Sequence, residues 1–210
     1  TVSEVYVYEG YLYSVLNWDW YELAILNVSN PASMPIISQT SVNNQQVYDM
    51  YVSDDATRVY FGTNSSSSEN EFFILDTTEK TGTRPTIASL DMGGTTVRGI
   101  AVVENGDVVI LVGTGGMEYK VYDVTNESSP TFCGGMEVNS GIYDIDSNYD
   151  EQGNAFSYIV TADVDDEFKI IRGGPGGGGE TGYGYVSSGS YYSPVLDTES
   201  DNSVFYILSI

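Results

Sequence analysis

The chain has 210 residues, enough for one principal core, and its 41% hydrophobic and 13% aromatic content excludes a disordered polypeptide. Its 30 acidic against 7 basic residues give a net charge of −23, which repels nucleic acid and anionic membranes and leaves cations and neutral glycans as the compatible partners. The absence of histidine removes the commonest general base and transition-metal ligand, and with it every nucleophile and histidine pair.

From the first residues onward the pattern is that of short strands. Val2-Ser3-Glu4-Val5-Tyr6-Val7 recurs as Val47-Tyr48-Asp49-Met50-Tyr51-Val52, Val97-Arg98-Gly99-Ile100-Ala101-Val102 and Ile142-Tyr143-Asp144-Ile145-Asp146-Ser147, with starts 45, 50 and 45 residues apart. A second strand follows each start, at 11–16, 59–63, 108–114 and 156–161. A third shares one pattern in Leu23-Ala24-Ile25-Leu26-Asn27, Phe72-Phe73-Ile74-Leu75-Asp76, Tyr119-Lys120-Val121-Tyr122-Asp123 and Phe168-Lys169-Ile170-Ile171-Arg172. Pro31, Pro85, Pro130 and Pro175 then punctuate the same turn, and a short fourth strand follows in the first three copies, at 35–39, 86–90 and 131–136. Strands rich in Val, Ile, Tyr and Phe, set about 8 to 12 residues apart with Gly, Asn, Asp and Pro between them, signal an all-β fold. Four strands in a period near 45 residues is the arithmetic of a propeller blade. The expected fold is therefore a β-propeller built from four four-stranded repeats, with a short C-terminal β segment.

The run Val5 to Tyr13, followed by Leu23-Ala24-Ile25-Leu26-Asn27-Val28-Ser29-Asn30-Pro31, resembles the LVIVD repeat, a propeller repeat of bacterial extracellular proteins. Phe73 to Asp76 and Val121 to Asn126 are looser matches to the same pattern. Ser188 to Asp197 resembles the start of a sandwich module in pilin-like surface proteins of uncultured bacteria. The resemblance implies a secreted, cell-surface role in attachment or filaments, and it carries no catalytic residues with it.

In domain terms, residues 1–175 form the propeller, 176–182 a Gly-rich linker, and 183–210 either the start of a sandwich module or an exchanged strand. The glycine run at 173–179 serves as a flexible linker or as a loop that carries a strand to another blade. Thr1-Val2-Ser3-Glu4 lacks the basic and apolar regions of a signal peptide, so the chain reads as a mature or trimmed one. Val204-Phe205-Tyr206-Ile207-Leu208 lies in a charge-free terminal strand. It either joins the last blade or pairs with another chain by strand addition, the second use building a filament or oligomer.

Candidate sites follow from oxygen and aromatic side chains. Asp144, Asp146, Asn148 and Asp150 alternate before Gly153 and suggest a loop of oxygen ligands for Ca²⁺, to which Asp163, Asp165, Asp166 and Glu167 could contribute. The alternative is a solvated acidic loop. Glu4, Asp49 and Asp144 occupy the third position of the first strand in three copies, with Gly99 in the other, and are expected either near one mouth of the central channel around a cation or apart in solvent. Trp18, Trp20 and Tyr21 suit contact with a glycan or partner, or cover a blade edge. Asn27, Asn64 and Asn126 fit the N-glycosylation pattern but also belong to turn chemistry. Cys133, the lone cysteine, reads as a buried structural thiol. The function expected is a non-enzymatic extracellular surface or filament scaffold or adhesin, with no catalytic residue, no required cofactor and no membrane insertion. A glycan-binding or glycan-processing propeller that uses a carboxylate pair is the alternative.

Overall fold

A computed structural model describes residues 2–16, 20–103, 106–149 and 155–172. Its strands are β1 (Val2–Tyr8), β2 (Tyr11–Leu16), β3 (Leu23–Asn27), β4 (Ile36–Thr40), β5 (Val47–Val52), β6 (Arg58–Thr63), β7 (Phe72–Asp76), β8 (Thr86–Leu90), β9 (Thr96–Val103), β10 (Val108–Thr114), β11 (Tyr119–Asp123), β12 (Thr131–Met136), β13 (Ile142–Tyr149), β14 (Ala155–Thr161) and β15 (Phe168–Arg172). They form four antiparallel meanders in chain order, β1 to β4, β5 to β8, β9 to β12 and β13 to β15. The fold is all-β, and each repeat read from the sequence is one blade. Among the described residues the fourth blade holds three strands and no helix is long and apolar enough to cross a membrane.

Tight turns make the meanders possible. Glu9 and Gly10, at φ of 45° and 82°, close the β1–β2 hairpin in the left-handed region that glycine adopts without penalty. A Cβ at Gly10 would also lie 2.5 Å from the Ser29 hydroxyl, so the position is closed to larger residues twice over. After the third strand, Asn27, Asp76 and Asp123 each accept the N–H of the residue two places on, Ser29, Thr78 and Thr125, at 3.0, 2.9 and 2.8 Å. These side-chain turns release the chain toward the outer strand.

Because side chains alternate along a strand, each blade has two apolar faces, and successive blades bury them against each other. Blade one gives Tyr13, Val15, Leu23 and Ile25 to a junction that blade two answers with Met50, Val52, Phe61 and Leu75. Tyr60, Phe72 and Ile74 on the other face of blade two meet Ile100, Val109, Leu111 and Tyr122 of blade three. Ile110, Val112, Tyr119 and Val121 then meet Ile142, Ile145, Ile159 and Ile171 of blade four. The first strands line up side by side, β1 on β5, β5 on β9 and β9 on β13. Among the described residues no comparable contact joins β13 back to β1, so the four blades form an open arc.

Two local expectations are corrected. Asp144, Asp146 and Asn148 stand on strand β13 and not in a loop, because β13 pairs with β14 through Asn148↔Phe156 and Tyr149↔Ala155. Cys133, on the outermost strand β12, is half-buried and not buried, because an outermost strand has no further strand beyond it; it still packs against the core between blades three and four. In the β6–β7 connection, Ser66 donates its N–H to the buried Glu71 carboxylate at 2.9 Å. Asp150, Trp18 and the assembly strand Val204, Phe205, Tyr206, Ile207 and Leu208 lie outside the described residues, as do the glycine run and the C-terminal segment.

Candidate functional site

The inner strands carry one irregularity four times. Val2 pairs with Leu16 and Glu4 with Val15; Val47 with Thr63 and Asp49 with Gly62; Val97 with Gly113 and Gly99 with Val112; Ile142 with Thr161 and Asp144 with Val160. Each pairing skips one residue, so Ser3, Tyr48, Arg98 and Tyr143 are the extra residues of four equivalent β-bulges. A bulge re-aims its side chain and sharpens the strand's twist. Here it lets the bulged residue of each inner strand reach its neighbours: Ser3 donates to the Val47 carbonyl at 2.7 Å, and the Arg98 guanidinium lies 3.8 Å over the Tyr48 ring and 5.8 Å from that of Tyr143. One cation is thus held between aromatic rings from the blades on either side, an arrangement that favours a guanidinium.

The residue after the bulge in each inner strand does a different job. Glu4 accepts the N–H of Met50 in the next blade at 2.7 Å, and Asp49 accepts that of Ile100 in the blade after at 2.6 Å. A carboxylate thus hydrogen-bonds from one blade to the next, satisfying an N–H that the bulge removes from its own ladder. Gly99 breaks the series for a steric reason: a Cβ there would lie 2.8 Å from a Val112 methyl and 3.1 Å from the Ile145 nitrogen. The Ile145 N–H is accepted instead by its own neighbour Asp144, at 2.8 Å. Among the described residues no group of three or more Asp, Glu, Cys or His side chains is arranged to hold a metal ion.

Burial, followed by the hydrogen bond and charge of Glu4, pushes the Asp49 carboxyl up to about 8, against the pull of the Ile100 N–H. The unfolded chain, with an ordinary aspartate near ~3.9, has released that proton at neutral pH, so the folded state binds one more proton between about pH 4 and 8. Stability contributed by this group is therefore complete below about pH 4 and is lost as pH rises to about 8, by up to ~1.4 kcal/mol per pH unit. Asp49→Asn, which keeps a neutral polar group, is expected to flatten the decline in melting temperature between about pH 5 and 8. Parent and variant curves that run parallel would show that Asp49 does not titrate there.

A second set of carboxylates went unread in the sequence. Glu22, Glu71 and Glu118 each stand one residue before the third strand, and each accepts the N–H of the segment leading to the next blade: Val42 at 2.8 Å, Met92 at 2.8 Å and Val138 at 2.9 Å. Glu22 and Glu71 are fully buried. Burial pushes the Glu22 carboxyl upward, opposed by the backbone donors around Val42. Glu167 holds the same place in the fourth copy. The signal was available: four copies align with a glutamate immediately ahead of the third strand.

Between blades two and three a groove opens, lined in part by Tyr51, Asp54, Arg58, Tyr60, Asp107 and Glu127. Arg58 donates to Glu127 at 2.6 Å and Tyr60 to the same carboxylate at 2.8 Å, with Asp76 3.6 Å from the guanidinium. Burial, followed by the Glu127 hydrogen bond, raises the Tyr60 phenol. The aromatic candidates sit elsewhere, between β2 and β3, where Trp20 is 79% and Tyr21 37% exposed. Of the sequon asparagines, Asn27 accepts from Ser29, Asn64 from the Thr96 hydroxyl at 3.0 Å, and Asn126 from the Ser128 hydroxyl at 2.8 Å.

Residues 1–41 match the LVIVD repeat family. No curated protein matches the chain in sequence. Among solved structures, a protein from Lactobacillus plantarum aligns at a TM-score of 0.63 with 9% identity, over 84% of this chain and 53% of its own length. The periplasmic gluconolactonase of Pseudomonas aeruginosa aligns at 0.59 with 14% identity, over 84% and 53%. The β-propeller domain of Cps50 (Swd1) from Myceliophteria thermophila aligns at 0.60 with 11% identity, over 86% and 57%. The chain spans about half the length of these structures, and at such identities the likeness is one of fold. The four blades give this chain a β-propeller fold, in which residues 1–41, the first blade, match the LVIVD repeat.

Proposed function

We propose that this propeller is a non-enzymatic extracellular scaffold that displays a contact surface for adhesion. The observation that carries the reading is the use made of the inner-strand carboxylates. A glycan-processing propeller needs a free carboxylate pair, one proton donor and one nucleophile or base, facing a substrate. Glu4, Asp49 and Asp144 instead accept backbone N–H groups at 2.6 to 2.8 Å, which is structural work between and within blades. The arc then leaves Trp20 and Tyr21 exposed, a chemistry that stacks on neutral sugar rings.

Glycan-array binding followed by Trp20→Ala tests this reading, with a loss of at least ~tenfold expected from removal of an exposed anchoring tryptophan. Binding unchanged in Trp20→Ala would move the contact surface elsewhere. The likeness to a gluconolactonase supplies the enzymatic control. No gluconolactone hydrolysis is expected, and turnover that Asp49→Asn abolishes would replace the scaffold reading with a catalytic one.

A further inference from the structure

The two ends of the arc expose the faces that every internal junction buries. On the leading face of blade one, Val5 and Val7 are the counterparts of the buried Met50 and Val52, yet are 54% and 57% exposed. On the trailing face of blade four, Val160 and Phe168 are the counterparts of Val15 and Leu23, and of Val112 and Tyr119, all buried; here they are 45% and 41% exposed. The Tyr158 and Phe168 rings stack at 6.3 Å, and among the described residues no blade covers them. Polar chemistry repeats the pattern. In each of the first two junctions a carboxylate of one inner strand reaches the N–H at the fourth position of the next repeat, Glu4 to Met50 and Asp49 to Ile100. Among the described residues Asp144 accepts only the N–H of Ile145, so it is placed to serve a following blade, and Val5 holds the fourth position in blade one.

The trailing face of blade four is therefore complementary to the leading face of blade one by the same pattern that joins blades one to two and two to three. We propose that two copies of this chain close into one ring, blade four of each packing on blade one of the other, with Asp144 accepting the partner's Val5 N–H. A two-fold arrangement satisfies both open faces of both copies at once and leaves no apolar edge. Its size agrees with the solved propellers above, of which one arc spans 53 to 57%. The junction is a blade face and is distinct from strand addition by the terminal segment. It rests on the fold and not on the adhesive reading, so it stands or falls separately from the glycan experiment.

Light scattering coupled to size exclusion on the full chain decides it. The expected mass is that of two chains of 22.9 kDa, unchanged on dilution across the micromolar range. A monomer, as when residues of the same chain cover both faces, overturns the proposal. So does a mass that grows with concentration, which marks open head-to-tail assembly. Val7→Asp and Phe168→Asp, each at a surface-exposed position, are expected to halve the mass while leaving the β-sheet circular dichroism intact. Mixing the two variants keeps one junction free of substitutions and is expected to restore a two-chain species. Folded variants that remain dimeric would place the dimer contact elsewhere and overturn the ring.

Discussion

Glu71→Ala is expected to cost about 3 to 5 kcal/mol, the sum of two charge-assisted hydrogen bonds lost from a buried site. Glu71 is fully buried, and its two oxygens accept the N–H groups of Ser66 and Met92 at 2.9 and 2.8 Å. Alanine leaves both donors without an acceptor in a site closed to water. It also removes the charge facing Lys120, a buried lysine lowered by its own burial and raised by Glu71. That ammonium donates to the Met92 carbonyl and to the Thr95 hydroxyl, so the loss strikes both sides of the link between blades two and three. For a chain of this size the melting temperature should drop by about 10 °C. Glu71→Gln, which keeps an acceptor of the same length but adds donors facing donors, is expected to fall between parent and alanine. Equal melting temperatures for the parent and Glu71→Ala would refute the capping role.

Gly113→Ala is expected to be the second most damaging change, at about 3 kcal/mol, because the clash is with backbone that cannot rotate away. An alanine Cβ at 113 would lie 1.9 Å from the Thr96 carbonyl oxygen. The chain there is bound on three sides: Gly113 pairs with Val97, Thr114 pairs with Thr96, and the Thr96 hydroxyl both donates to Asn64 and accepts from the Ser65 N–H. Relief requires opening the β9–β10 end or detaching it from blade two. Leu16, Thr63 and Thr161 hold the same place in the other blades, so side-chain size itself is not the obstacle. Thermal unfolding of Gly113→Ala beside Gly115→Ala, whose left-handed φ of 79° gives a different and local strain, separates the two causes. Similar small losses in both would show that β9 yields easily at Thr96.

The sequence by itself determined the blade. Alternation of apolar residues with period two, a turn residue at each interval and a 45 to 50 residue repeat are local properties, set by strand pleat and turn chemistry, and they located the fifteen strands of the described residues to within a few residues. It also placed Glu4, Asp49 and Asp144 at equivalent positions, with Gly99 as the exception. What those carboxylates do was decided only in three dimensions. Their partners, the N–H groups of Met50 and Ile100, lie 46 and 51 residues away and become unpaired only because a bulge interrupts each inner strand. A bulge is a property of the pairing between two strands, and neither strand shows it alone. The same holds for Asp144, Asp146 and Asn148, whose alternating spacing fits a ligand loop and a strand equally well; pairing with β14 settled the choice. Openness of the arc is tertiary too. Val5 and Phe168 have the composition of core residues, and they stand at the surface because among the described residues no blade lies beside them.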